Sequence, residues 1–286
     1  MIITITCNPA IDKSVNLDSV TFDVGGKGIN VSKILNNLNE DNIATGFVGR
    51  DNKNVILDKL DELNIKHHFI EIDGEVRTNT KRIINNQLFE ENQKGPMVLE
   101  DDKNRLLEYL KQFSNEIVVL SGSSTNNIYY ELVKTLKDNG NYVILDCDKQ
   151  LLIDGIKAKP NAIKPNKDEI CRYFNCDYDE EIIIEKIKEL KLDLVCLSLG
   201  EDGAIFVYSG DVYKVKPLKI DYKNATGAGD CMVGAIAYCK AHKLDIIETI
   251  KLAVASASAA CEMVGSKAPN REDIFSKIGE VEVSKL

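Results

Sequence analysis

With 286 residues, 44% apolar and 28% charged, the chain has an ordinary soluble composition and enough length to bury a large core. Its 36 basic and 45 acidic residues give a net charge of −9, which argues against a nucleic-acid partner but not against a small anion held in a local pocket. Met1–Thr6 reads as a strand rather than a leader. The longest apolar run, near Leu252–Ala260, is broken by Ser256 and Ser258, and the eight cysteines show no CxxC spacing. A cytoplasmic protein with reduced thiols, no membrane span and no zinc is the expectation.

Asn8-Pro9-Ala10-Ile11-Asp12 reads as a turn at the C-terminal end of the first strand. Open α/β sheets bind ligands at that end, so Asp12 is a candidate hydroxyl acceptor; capping a turn is its plainer role. Gly25-Gly26-Lys27-Gly28 then opens a helix with Ile29, Val31, Ile34, Leu35 and Leu38 at loose helical spacing. The glycines let a ligand reach the backbone, Lys27 adds a cation, and Asn30 adds a second polar group. Gly follows Lys27 where a P-loop has Ser or Thr, so this is no P-loop. The alternative is a glycine-rich turn packed on the sheet.

A strand is predicted over Ile43–Val48, a helix over Asn54–Leu63 and a strand over Lys66–Ile72. Val76–Ile84 alternates, placing Arg77, Asn79 and Lys81 on one face if extended. Such a face suits a sugar phosphate, or else marks an edge strand protected by charge. A turn near Asn85-Asn86 would close a hairpin to Gln87–Glu90, with a loop over 91–96. From Lys103 the pattern becomes βαβ-like. It runs helix Leu106–Phe113, strand Ile117–Leu120 ending in Ser121-Gly122-Ser123-Ser124, helix Ile128–Lys137, and strand Tyr142–Leu145 with Asp146 at its tip. Ala162 to Glu169 reads as strand, turn and helix. Asn166 and Glu169, three apart at the helix start, are either a cap or an acidic anchor for magnesium-bound water. Leu194–Leu199 is an apolar strand ending in Gly200-Glu201-Asp202-Gly203, and Ala204–Val207 with Val212–Val215 forms a hairpin.

Asn224-Ala225-Thr226-Gly227-Ala228-Gly229-Asp230 precedes an apolar run from Cys231 to Ala235. Gly227 and Gly229 open the backbone to a ligand, and a helix starting near Ala228 adds unpaired N–H groups and its dipole. Together they make a phosphate cradle. A dinucleotide fingerprint would need Gly at position 232, which is Met, and a P-loop would need a Lys after the glycines. Asp230 is a carboxylate beside an anion site. It fits a base that takes a proton from a group attacking that anion, as in phosphoryl transfer; the plain alternative is an ordinary first-turn acid. A helix over Ile246–Met263 and a short one near Glu272–Ile278 complete the chain. Strands alternating with helices indicate an α/β fold with a mostly parallel sheet covered on both faces. It forms one domain over 1–286, with a small β excursion over about 13–24 and 74–97.

Several runs carry a family resemblance: Asn8 to Asp12, Gly25-Gly26-Lys27-Gly28-Ile29-Asn30-Val31, Arg77-Thr78-Asn79-Thr80-Lys81, Gly95-Pro96, Ser121-Gly122-Ser123, Ile163 to Glu169, Leu197 to Ala204, and Thr226 to Asp230. In this order, over almost the whole chain, they resemble the phosphofructokinase B (ribokinase-like) sugar kinases, within the 1-phosphofructokinase and tagatose-6-phosphate kinase branch. The resemblance implies a doubly wound α/β fold with a small β lid that builds a homodimer. It implies ATP and Mg²⁺, and transfer of phosphate to a ketohexose monophosphate to give a 1,6-bisphosphate. Fructose 1-phosphate is the leading acceptor, ahead of tagatose 6-phosphate and fructose 6-phosphate. A non-catalytic sugar-phosphate binding protein is the rival of another class.

The resemblance also implies residue roles. Asp230 is the catalytic base, and Gly227, Ala228 and Gly229 form the anion hole. Asp12, Gly26, Lys27 and Asn30 hold the sugar, and Arg77, Lys81 and Ser123 lie near its phosphate. Ser198, Gly200, Gly203 and Thr226, with Gly227 and Gly229, border ATP. Asn166 and Glu169 organise the metal through water. Three departures stand out. Only twelve residues separate Asp12 from Gly25, which leads us to expect a truncated lid. Ser123-Ser124-Thr125-Asn126 replaces a turn containing Pro and Gly, and Cys231 stands where the branch usually has Ser.

Overall fold

A computed structural model describes residues 1–15, 20–84, 87–263 and 267–286. In chain order its first half contains β1 (Ile2–Thr6), β2 (Ala10–Val15), β3 (Val20–Gly25), α1 (Lys27–Asn37), β4 (Asn42–Gly49), α2 (Asn54–Glu62), β5 (Lys66–Ile72), β6 (Arg77–Ile84), β7 (Gln87–Asn92), α3 (Glu100–Leu110), β8 (Ile117–Ser121) and α4 (Tyr129–Asp138). Then come β9 (Tyr142–Asp146), α5 (Lys149–Lys157), β10 (Ala162–Ile163), α6 (Lys167–Phe174), α7 (Glu180–Glu189), β11 (Leu194–Ser198), β12 (Ala204–Tyr208), β13 (Asp211–Val215), α8 (Ala228–Ala241), α9 (Ile246–Cys261), α10 (Arg271–Lys277) and β14 (Val283–Lys285).

Ten strands make one sheet in the order β14-β13-β12-β11-β10-β9-β8-β1-β4-β5. From β11 to β5 every pairing is parallel, and β12, β13 and β14 extend the edge antiparallel. The central strands are apolar and buried on both sides, as a parallel sheet covered by helices requires. Alternate residues feed opposite cores. Ile3, Ile5, Val118 and Leu120 pack with Leu132, Leu152, Ile170 and Ile183 from α4 to α7. Ile2 and Val119 pack with Val31, Val233, Val254 and Ile274 from α1, α8, α9 and α10. Among the described residues no helix is long and apolar enough to cross a membrane.

The second sheet has the order β3-β2-β6-β7. Asp12 therefore lies in a strand and not in the expected turn. The short segment between Asp12 and Gly25, expected to leave a truncated lid, still supplies both β2 and β3, which pair Ala10 with Gly25 through to Val15 with Val20. The β6 strand runs parallel to β2 on its other side. The predicted Asn85-Asn86 turn lies outside the described residues, but β6 and β7 on either side pair antiparallel, and β7 continues to Asn92 into the expected loop. Cross-strand register puts Arg77, Asn79 and Lys81 on the same face as Asp12. Val20, Phe22 and Phe89 belong to the opposite face and are exposed.

Elsewhere the helix expected from Leu106 starts earlier, at Glu100, because Asp102 accepts the Leu99 N–H and closes the first turn. Besides β2 and β3, the elements α5, α7 and β14 were not anticipated. Two helices set the geometry of the site. At the crossing of α1 and α8, a Cβ built on Gly234 would lie 2.1 Å from the Ile34 methyl Cγ2, so the contact is open only to glycine. Gly234→Ala is expected to destabilise the protein by roughly 1–3 kcal/mol through overpacking, despite the higher helix propensity of Ala. Urea unfolding of the two proteins side by side checks this, and equal or greater stability of the variant would contradict it.

Candidate active site

The N-termini of α1 and α8 meet over the C-terminal ends of β1, β8, β9 and β10. Glycines precede both helices, Gly26 at φ 113° and Gly227 at φ 82°, and no side chain caps either one. The first-turn N–H groups of each are thus left for a ligand or solvent. At Gly227 an added Cβ would meet nothing within 4 Å, so the positive φ and not crowding is what calls for glycine. Asp230, in the first turn of α8, is 6% exposed. It accepts a 2.8 Å hydrogen bond on Oδ2 from Asn30 Nδ2, one turn into α1. Two residues 200 apart in sequence are joined at the heart of the site.

Beneath them lies a buried charge cluster. Asp146, at the end of β9, has a fully buried side chain and takes Lys27 Nζ at 3.1 Å and Lys164 Nζ at 3.3 Å on the same oxygen. Ser121 Oγ donates to its other oxygen at 3.4 Å. Burial alone would raise the Asp146 carboxyl, but the two ammonium groups outweigh it and hold it below the ordinary range. The Asp230 carboxyl goes the other way. Burial, with repulsion from Asp146, pushes it up to about 6, against the pull of Lys27, Asn30 and Lys164. Lys27 is held charged: burial disfavours its ammonium, but Asp146, Asp230 and Glu169 more than compensate.

A cavity of about 790 Å³ opens beside the cluster. Among its lining residues are Gly26, Lys27, Arg77, Ser123 and Glu169, five of the residues expected from sequence. Arg77 donates to the Asn8 carbonyl at 3.3 Å, and Asn8 Nδ2 donates to Ser123 Oγ at 3.2 Å, which ties the second sheet to the end of β8. Asp12, Asn30 and Lys81, also expected at the sugar, are not among the residues that line it. Burial raises the Asp12 carboxyl above its ordinary value, opposed by a 2.9 Å hydrogen bond from Asn79 and by the nearby Lys33. Burial also lowers Arg77, which Asp12 partly offsets. Thr6 Oγ1, Asn8 Oδ1, Asn30 Oδ1 and Arg77 Nε are buried with no hydrogen-bond partner. Buried polar atoms are rarely left so, and three of these residues, Thr6, Asn8 and Arg77, line the cavity.

On the far side of the cluster the structure shows the cap reading of Asn166 and Glu169. Asn166 Oδ1 accepts the Glu169 N–H at 2.9 Å and Glu169 Oε2 accepts the Asn166 N–H at 2.8 Å, a complete capping box. The cap uses only Oε2, and Glu169 also lines the cavity. Asn166 bridges to Ser198 at the end of β11. Gly200 (φ 62°) has open space around it. Gly203 (φ 92°) does not: a Cβ there would lie 2.1 Å from the Val215 carbonyl oxygen, so its smallness serves the β12–β13 hairpin. Thr226 is exposed in the loop before α8, its N–H bound to Asn224 Oδ1. Sequence reasoning passed over Lys164, Thr6 and Asn8 as site residues, and treated Asp146 only as a strand tip. The available signal was their position, at the last residue of an apolar strand or within two residues past it, at the ligand edge of the sheet.

Comparison with known proteins agrees with this geometry. A family model described as pfkB family carbohydrate kinase matches residues 1–273. A 1-phosphofructokinase from Haloferax volcanii is 27% identical over 303 aligned positions, covering 100% of this chain and 99% of its own. A tagatose-6-phosphate kinase from Staphylococcus epidermidis is 32% identical over 284 positions, covering 88% of this chain and 89% of its own. The solved phosphofructokinase-2 of Escherichia coli matches with a TM-score of 0.92 over 98% of both chains at 23% identity, which speaks to the fold alone. The mixed α/β architecture, its helix-covered parallel sheet and the match along nearly the whole chain agree: the chain belongs to the pfkB family of carbohydrate kinases and is a phosphotransferase.

Proposed function

We propose that this kinase transfers the γ-phosphoryl group of ATP to fructose 1-phosphate, making fructose 1,6-bisphosphate. The observation that carries the phosphoryl-transfer reading is Asp230, a buried carboxylate of raised proton affinity beside the uncapped start of α8. An anion site gains nothing from such a carboxylate, whereas a hydroxyl attacking the anion needs one. The choice of sugar is supported by the relative that aligns along the full length of both chains. Tagatose 6-phosphate is the second reading, favoured by the 32% identity of the tagatose-6-phosphate kinase. Both sugars are ketohexose monophosphates with a phosphate at one end and a primary hydroxyl at the other.

Asn30 occupies Oδ2 of Asp230 and so leaves Oδ1 to take the proton of the primary hydroxyl. The hydroxyl oxygen bonds to the γ-phosphorus as the bond to the bridging oxygen breaks, and ADP leaves with that electron pair. Backbone N–H groups at Gly227, Ala228 and Gly229 receive the charge that builds on the phosphoryl oxygens. Asp12, Gly26, Lys27 and Asn30 hold the sugar hydroxyls, and Arg77, Lys81 and Ser123 hold its phosphate. Ser198, Gly200 and Thr226 border the nucleotide, while Gly203 shapes the hairpin behind it.

Asn166 and Glu169 fit Mg²⁺ only through water. Their cap leaves a single carboxylate oxygen over, and no cluster of three or more metal-binding groups occurs among the described residues. Bound with ATP, the ion supplies neutralisation of the phosphoryl oxygens. The second sheet acts as a lid on the one domain, its Asp12 face over the sugar and its exposed Val20, Phe22 and Phe89 face suited to a second copy of the chain. The need for ATP and the eight free cysteines support a cytoplasmic setting.

Coupled ADP release with fructose 1-phosphate, tagatose 6-phosphate and fructose 6-phosphate side by side is expected to give the highest kcat/KM with the first. A clear preference for tagatose 6-phosphate reassigns the acceptor, and turnover with none of the three contradicts the kinase reading. The kcat/KM profile should fall about tenfold per pH unit below the Asp230 value of about 6, as the base takes up its proton. Asp230→Asn is expected to lower kcat by roughly a hundredfold or more, and yet to stabilise the fold at pH 8. The folded-state value lies above the ordinary carboxylate value of 3.8, so this carboxyl's contribution to stability is full below about pH 4 and is lost as pH rises through about 6. The gain at pH 8, on the order of 1–3 kcal/mol, should vanish near pH 4 in thermal unfolding. A variant that keeps most of its rate would show that Asp230 is not the base.

A further inference from the structure

One wall of the cavity of about 790 Å³ carries a lysine in a strained backbone conformation. Asn39, Asn64, Lys159, Asn175, Lys191 and Lys243 are left-handed just past the ends of helices, where that conformation closes the last turn. Asn115 and Ser209 take it in loops beside strands. Among the described residues only Lys149 has it at the first residue of a helix, α5, with φ 57°. A helix start gains nothing from it, and glycine would adopt it without strain. A cation there also opposes the helix dipole. Two local rules are thus broken at one residue, and such strain persists only where the surroundings over-determine it. Here Asp148 Oδ1 accepts the Lys149 N–H at 2.6 Å and is itself paired with Arg172 of α6. Gln150 Nε2 donates at 2.9 Å to Asp154 Oδ2, which also takes Asn127 Nδ2 at 2.6 Å. The start of α5 is therefore tied to the Ser123–Asn127 loop, which lines the same cavity.

Lys149 also brings a charge that the protein leaves unanswered. The cations lining the cavity are Lys27, Arg77 and Lys149. Lys27 is paired with Asp146 and Arg77 donates to the Asn8 carbonyl, but the Lys149 ammonium has no partner among the described residues. The two lining carboxylates are engaged elsewhere, Asp148 by Arg172 and Glu169 by its own helix cap. Among the described residues the lining includes Arg77 and Ser123 but no part of the α8 start and none of Ser198, Gly200 and Thr226. An anion that answers Lys149 thus comes from the sugar side and not from the nucleotide.

We propose that Lys149 binds the phosphate of the acceptor sugar, alongside Arg77 and Ser123, and that its strained backbone is retained because it holds the ammonium at the cavity wall. The contact is a charge-assisted one, made in the ground state and kept in the transition state, so it acts on affinity and not on the chemical step. The inference rests on the sugar-phosphate reading of the site.

Isothermal titration of wild type, Lys149→Met, Lys149→Arg and Lys149→Gly with fructose 1-phosphate, tagatose 6-phosphate and ATP tests it, together with kcat and thermal unfolding. Lys149→Met and Lys149→Gly are expected to raise the Kd of the tighter-binding sugar phosphate roughly tenfold. The Kd of ATP should stay within about twofold, and kcat at saturating sugar within about threefold. Lys149→Arg should recover most of the lost affinity. Lys149→Gly, relieved of the strain, should melt roughly 1–3 °C above wild type, which separates its weaker binding from any loss of fold. Unchanged sugar-phosphate affinity in Lys149→Gly overturns the proposal, and so does a loss that falls on ATP instead. Binding is read without turnover, so the two readings fail separately. A wild-type protein that binds sugar phosphate and turns none over overturns the kinase reading, and its Kd values still decide the role of Lys149. A wild-type protein that binds neither sugar phosphate overturns this inference.

Discussion

The close crossing of α1 and α8 is the contact on which the site depends. Ile34 of one helix presses onto Gly234 of the other, at a separation no side chain could share. That crossing brings Asn30 to Asp230 and aims two uncapped helix starts at the same space. Both helices lie on the same face of the sheet, against Ile2 and Val119, so the sheet sets their height and the glycine sets their spacing. A shift of an ångström between them would part Asp230 from Asn30, and active sites in general are sensitive to displacements of that size.

Electrostatics then divides the labour among three carboxylates. Asp146 is buried but doubly paired, and stays charged. Asp230 is buried with one hydrogen bond from a neutral amide, and binds its proton more tightly. Glu169 spends one oxygen on a helix cap and keeps the other outside it. Environment, and not residue type, sets these three carboxylates apart. The polar atoms left unpaired around the cavity belong to the same design, since a sugar hydroxyl can satisfy them where the protein does not.

Much of this was legible in the sequence. Gly-rich starts followed by apolar residues at helical spacing marked α1 and α8, and the short apolar runs marked the buried strands. The alternation of Arg77, Asn79 and Lys81 placed them on one face, where the structure has them beside Asp12. What was missed has physical reasons. In β2 and β3, Asp12, Lys13, Ser14 and Asp23 put polar residues on both faces, so the apolar alternation of a half-buried strand is missing. In α5 a glycine sits mid-helix, made room for by packing of Leu145 against Gly155, and α7 contains the β-branched run Ile182-Ile183-Ile184; both are locally poor helix signals that tertiary packing overrides. Lys164 escaped notice because a lysine after a strand is usually solvated. Only the fold reveals that this one is buried against a carboxylate and a glycine.

The central claim is that Asp230 meets the acceptor hydroxyl while the start of α8 meets the phosphoryl group. A crystal structure with ADP, aluminium fluoride, Mg²⁺ and fructose 1-phosphate tests both halves at once. The account predicts the primary hydroxyl oxygen at hydrogen-bonding distance from Asp230, roughly 2.6–3.2 Å. It also predicts the fluoride ligands facing the N–H groups of Gly227, Ala228 and Gly229. A hydroxyl approaching from elsewhere, with Asp230 still bound only to Asn30, would contradict it.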